Sequence, residues 1–173
     1  YNALSEYEES EPRIRLEINN AHGSVINIVR KTKTPRANFT RVISAGDDGQ
    51  VKIWSWHVQT NEFQCIDTFD IAQYDCLNPC IRSVDLDMEH RNILVTVLSS
   101  EILELHLSMT GKSTVTSSDV IVEGHYMEGE HETKLQDIAV HPKQHEFATV
   151  GDDKWLRVWD AATHKPLRKL KLE

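Results

Sequence analysis

The sequence predicts an all-β chain built from repeated sheets, and two observations carry that prediction. The stretches GDDGQVKIWS (46–55) and GDDKWLRVWD (151–160) are near copies, each an Asp-rich turn followed by a short alternating strand that ends in Trp. Around them, Ser44, Asp48 and Trp54 match Thr149, Asp153 and Trp159 at identical intervals, and His22 and His125 precede the two copies at similar distances. Residue types that recur at fixed spacing mark a repeat architecture.

The physics of the pattern is that of a turn between two strands. Asp side chains in the turn accept bonds from nearby backbone amides. Val51 and Ile53 fall on one strand face with Lys52 on the other, as Leu156 and Val158 do with Arg157. A His before the sheet can bond to the turn Asp and to the hydroxyl, and the hydroxyl to the Trp indole, so that buried polar groups satisfy one another and fix register. The set resembles the structural tetrad of WD-repeat β-propellers. Gly124-His125 and Trp159-Asp160 fit that family's dipeptide markers, and Ala21-His22 and Trp54-Ser55 are degenerate versions. The resemblance implies a WD-repeat β-propeller segment: three four-stranded blades and a leading strand, part of a larger propeller.

In order, residues 1–20 are a polar, acidic N-terminal segment leading into an outer strand of a preceding blade, where Ile14, Leu16 and Ile18 alternate with Arg15 and Glu17. A blade follows at 21–70: an inner strand around Val25, Ile26 and Val29, a basic insertion RKTKTPRANFTR, then strands at 40–46, 50–57 and 62–70. The 71–123 blade has strands at 81–87, 92–99 and 101–107, a loop MTGKSTVTSS, and an outer strand beginning at DVIVEG. It lacks the tetrad: no Asp stands in its turn, Leu105 fills the Trp position, and packing alone must hold it. The last blade, 124–173, places strands at LQDIAVHP, EFATVG, LRVWDA and PLRKLKLE. Positions 54, 105 and 159 recur about every fifty residues, longer than the usual ~40–45, which implies enlarged loops.

Composition narrows the function classes. The 173 residues carry a formal charge of −8, which argues against a general nucleic-acid binder. No apolar run is long enough to span a bilayer, and no secretory signal is evident. The first residue is Tyr1, so the expectation is a segment of a longer protein. Cys65, Cys76 and Cys80 form an odd set expected to be reduced in a cytosolic setting. Cys76 and Cys80 bracket Leu-Asn-Pro with His90 and His106 nearby, but no second ligand pair follows at finger-like distance. His125, His131, His141 and His145 are not at facing helical positions, and no Gly-rich phosphate loop occurs. No metal, cofactor or membrane partner is expected.

The hydroxyl, His and Asp of each tetrad also resemble a catalytic set. Their duplication, once per blade, points to architecture, so no catalytic residues are assigned. The candidate partner contacts are two. Lys31, Lys33, Arg36 and Arg41 form a basic insertion on the face opposite the Asp turns, suited to an acidic protein surface. Tyr74, Tyr126, Met127 and Trp155 lie on the Asp-turn face as exposed apolar groups, with packing between blades the more ordinary place for Trp155.

The order IRSVDLD, ILVTVLSSEILEL, VEGH, KLQDIAVHP and FATVGDDKWLRVWD further resembles the echinoderm microtubule-associated protein-like family over residues 21 to 170. Val95-Thr96-Val97 and Lys134-Leu135-Gln136-Asp137 depart from that family's usual Val-Gly-Thr and Glu-Leu-Trp-Gly. The resemblance implies a non-catalytic, microtubule-associated scaffold of the cytoplasm and cytoskeleton, including ciliary or flagellar axonemes, with tubulin as partner. The alternative is a soluble WD-repeat adaptor that recruits other proteins.

Overall fold

The computed structural model describes residues 17–32, 39–57, 59–87, 91–108, 114–121, 124–125 and 134–173. These form three antiparallel sheets of four strands, each strand hydrogen-bonded to its sequence neighbour. The first blade is β1 (Ile26–Lys31), β2 (Phe39–Gly46), β3 (Gln50–His57) and β4 (Glu62–Asp70). The middle blade is β5 (Ile81–Leu86), β6 (Asn92–Val97), β7 (Ile102–Ser108) and β8 (Thr114–Ile121). The last is β9 (Leu135–Val140), β10 (Glu146–Gly151), β11 (Trp155–Asp160) and β12 (Pro166–Lys171). β5 packs on β1 and β2, and β9 on β5 and β6, so the blades follow one another face to face through their inner strands.

Register makes the blades equivalent. Val42 lies opposite Trp54 and Phe147 opposite Trp159, and in the middle blade Ile93 lies opposite Leu105. Ser44 faces Lys52 and Thr149 faces Arg157; the same position in the middle blade pairs Val95 with Leu103. The middle blade is buried on both faces, because side chains alternate across a strand. Ile93, Val95 and Val97 join a core with the first blade that includes Ile43, Ile53 and Phe69, while Leu94 and Ile102 join Leu135, Ile138, Phe147 and Trp159 of the last blade. Double-sided burial explains why NILVTV is a continuous apolar run and how the blade holds without a tetrad.

The outer strand of the middle blade differs from expectation. The loop assigned to MTGKSTVTSS gives way to strand from Thr114, with Val115 opposite Leu107 and packed on the core. Its other residues are mostly exposed, so the Ser/Thr-rich pattern of an edge strand reads as a loop. Glu17 and Ile18 lie outside any strand, just before a turn, and Ile14 and Leu16 fall outside the described residues. Apolar side chains remain open on the two end blades, with Val25 and Val29 each 60% exposed and Leu170 61%. No helix among the described residues is long and apolar enough to cross a membrane.

Candidate interaction surface

Each tetrad is a continuous hydrogen-bond chain. Trp54 Nε1 donates to Ser44 Oγ at 2.8 Å, the hydroxyl lies 2.8 Å from His22 Nε2, and His22 Nδ1 lies 2.9 Å from Asp48 Oδ2. The last blade repeats it: Trp159 Nε1 to Thr149 Oγ1, Thr149 Oγ1 to His125 Nε2, and His125 Nδ1 to Asp153 Oδ1, all at 2.8 Å. A carboxylate can only accept, so Nδ1 donates to Asp and the hydroxyl donates to Nε2. Thr149 and His125 are each 1% exposed, and Ser44 5%. A hydroxyl bonded on both sides and closed off from solvent has no path to a substrate, so these constellations order the blades.

Two further contacts tie the His segment down. Lys52 Nζ donates to the carbonyl of Ala21 at 2.7 Å, and Arg157 donates to the carbonyl of Gly124. Each cation stands two residues before its Trp and holds the residue just before its His. Arg157 also pairs with Asp153 at 2.9 Å. Lys52 and Arg157 share one register in the sequence, but only the fold shows what they reach. The Asp48 carboxyl is pushed up by burial, yet bonds from Gly23 N–H, His22 and Gln50 N–H outweigh this and hold it below its usual value. The middle blade keeps the amide capture without the Asp: Asn78 N–H donates to Ser99 Oγ at 2.9 Å, and Leu77 N–H to Glu101 Oε1 at 3.2 Å.

Burial holds His125 below the usual imidazole value; Asp153 opposes that and Arg157 reinforces it. The unfolded chain therefore binds this proton more readily than the folded one. The contribution is fully present above the unfolded value, near 6.5, and is lost as pH falls through it toward the folded value. Urea titrations at about pH 7.5 and about pH 5.5 should give a lower unfolding free energy at the acid point, with part of the slope missing in His125→Gln. A parent and variant with equal slopes would remove His125 from the acid response.

The structure separates the partner candidates. Lys31 is exposed at the end of β1, its Nζ 5.7 Å from the Trp56 ring centroid. Arg41 is half-buried on β2 and its carbonyl accepts from Thr32 N–H at 2.9 Å. Lys33 and Arg36 lie outside the described residues, as do Tyr126 and Met127. The end of β1 at Lys31 and the start of β2 at Phe39 lie at the opposite end of the sheet from the turn at 47–49, because β2 spans the distance between them. Arg30 turns inward, pairing with Asp137 and donating to the carbonyl of Ile138 at 2.8 Å. Tyr74 corrects an expectation: it is half-buried against the first core, and burial raises its phenol above the usual value. Trp155 is half-buried with Lys169 Nζ 5.1 Å from its ring centroid, so it meets the outer strand of its own blade. Sequence reasoning missed Leu77, which is 91% exposed beside the Asp-turn face.

Cys76 Sγ contacts the carbonyl of Ile71 at 3.7 Å and Cys80 Sγ that of Asp47 at 3.6 Å. All three thiols are free.

Repeated four-stranded meanders with a buried Trp–hydroxyl–His–Asp chain are the architecture of WD-repeat propeller blades. Comparison agrees for two stretches: residues 17–55 and 120–160 match the family model described as WD domain, G-beta repeat. It is similar to the solved WD40 repeats of RRP9, at 13% identity and a TM-score of 0.52 over 83% of this chain and 41% of that one. The chain thus spans less than half the length of that similar structure. WD40 repeats generally serve as non-catalytic scaffolds for protein interaction.

Proposed function

We propose that this chain is a non-catalytic scaffold that presents propeller loops to protein partners, and that its partner is the microtubule, in the cytoskeleton or a ciliary axoneme. The supporting observation is that tetrad groups bond inward while Lys31 stands exposed at the start of a cation-rich insertion. The tubulin surface is acidic and this chain is acidic overall, so the attraction has to be local. At physiological salt, screening over about 8 Å makes local charge decisive. Further blades covering Val25, Val29 and Leu170 would complete the ring. The domain limits 21–70, 71–123 and 124–173 are proposed as one blade each. Leu77 favours the second reading, an adaptor that recruits other proteins through the Asp-turn face.

Co-sedimentation of the intact protein with microtubules across a salt series tests the first reading. Binding should fade with salt, and the triple variant Lys31→Glu, Lys33→Glu, Arg36→Glu should bind roughly tenfold more weakly. Folded protein that stays in the supernatant at low salt would shift the assignment to the adaptor, and unchanged binding by the triple variant would exclude the insertion.

A further inference from the structure

Glu104 is the unusual residue of β7. Leu103, Leu105 and Leu107 pack toward the first blade, so Glu104 and His106 point the other way, toward the last. One residue before the Trp position, the other blades carry Ile53 and Val158; here a carboxylate is only 5% exposed. Burying a carboxylate is costly unless it is paired. Its partner comes from the neighbouring blade: His164 Nε2, in the β11–β12 turn, lies 2.6 Å from Glu104 Oε2. His164 reaches it from a left-handed backbone, φ 55°, a region uncommon for residues other than Gly. Two locally unfavourable choices therefore meet in one contact.

His106 is next to it. Its Nδ1 lies 2.9 Å from Asn92 Oδ1. Its Nε2 lies 2.9 Å from Asp119 Oδ2. Asp119 also lies directly opposite Glu104 across β7 and β8, a like-charge cross-strand pair. The ligating atoms of Glu104, His106 and Asp119 all lie within 4.8 Å of one another. They open on a cleft of about 290 Å³ that His145, Ala161 and His164 also line.

We propose that Glu104, His106 and Asp119 bind a divalent transition-metal ion, with Zn²⁺ the best match to one imidazole and two carboxylates. The ion sits where the three ligating atoms converge and offsets the repulsion between the two carboxylates. Asn92 and His164 are positioning residues: the first holds the His106 ring, and the second holds Glu104 from across the blade boundary. The cleft supplies the remaining coordination position to water or to a partner's side chain. The ion would bind the two outer strands of the tetrad-free blade together and, through Glu104 and His164, link them to the last blade.

Calorimetric titration of the chelator-stripped intact protein with zinc chloride, under reductant, tests this. The parent should bind one more equivalent of Zn²⁺ than Asp119→Asn or His106→Gln, and Co²⁺ in its place should give a visible d–d band that both variants lose. His164→Asn tolerates the left-handed backbone and should bind about tenfold more weakly. Zn²⁺ should raise the melting temperature of the parent and leave that of Asp119→Asn unchanged. With folding verified by circular dichroism, equal zinc stoichiometry in parent and both ligand variants overturns the proposal, as does a parent that binds no zinc at molar excess.

Discussion

Trp159→Ala is expected to destabilise the chain by about 3–5 kcal/mol. The indole is 6% exposed and stacks on Phe147, with ring centroids 6.1 Å apart and planes 11° from parallel. It also belongs to the core shared by the middle and last blades, and it donates to Thr149 Oγ1. Alanine opens a cavity beside Phe147 and removes a donor from the buried chain that ends at Asp153. Trp159→Phe keeps most of the packing and loses the N–H alone, so its cost should be nearer 1 kcal/mol. Urea denaturation of the two variants separates packing from hydrogen bonding. Equal costs would mean that the hydrogen-bond chain, rather than the core, holds the last blade.

Gly46→Ala should cost about 3 kcal/mol, from overpacking against backbone. A Cβ at Gly46 would lie 2.0 Å from the carbonyl oxygen of Val25, 2.9 Å from its carbon and 3.0 Å from Ile26 Cα. That carbonyl accepts from Asp47 N–H at 2.9 Å, and the β1–β2 register shifts between Ile26 and Ile28 at this approach. β1 would have to move as a unit, drawing His22 away from Ser44 and Asp48. Gly23 is the matched control, because its added Cβ would stand 3.9 Å from the Asp48 side chain, an ordinary contact. Thermal melts should show a large fall for Gly46→Ala and a small one for Gly23→Ala. Similar falls in both would indicate that β1 yields easily and that the close approach carries little weight.

Much of the fold is legible in the residues because a propeller blade is a local object. Alternation with period two sets which side chains face the core, and Asp-Asp-Gly and Asp-Asp-Lys set the turns, so β3, β4 and β10 fall where the pattern places them. Spacing between Ser44, Asp48 and Trp54 survives in the sequence because turn and strand are contiguous. β8 is not legible in that way, since an exposed edge strand has no apolar alternation to display. Tyr74 is read as exposed because it stands in a connection with no alternation to place it, and its burial comes from packing on the core that the first two blades share.

The candidate sites divide along the same line. Both tetrads, the missing tetrad at Leu105 and the basic insertion are matters of spacing and composition, and the sequence determines them by itself. The tertiary structure alone decides that Lys52 and Arg157 hold the carbonyls of Ala21 and Gly124, that Arg30 turns from the insertion toward Asp137, and that Glu104 meets His164 sixty residues on. Those contacts cross strands or blades, and their partners are chosen by the stacking of sheets. A one-dimensional pattern records which face a side chain occupies; what lies opposite that face is set only when the blades pack.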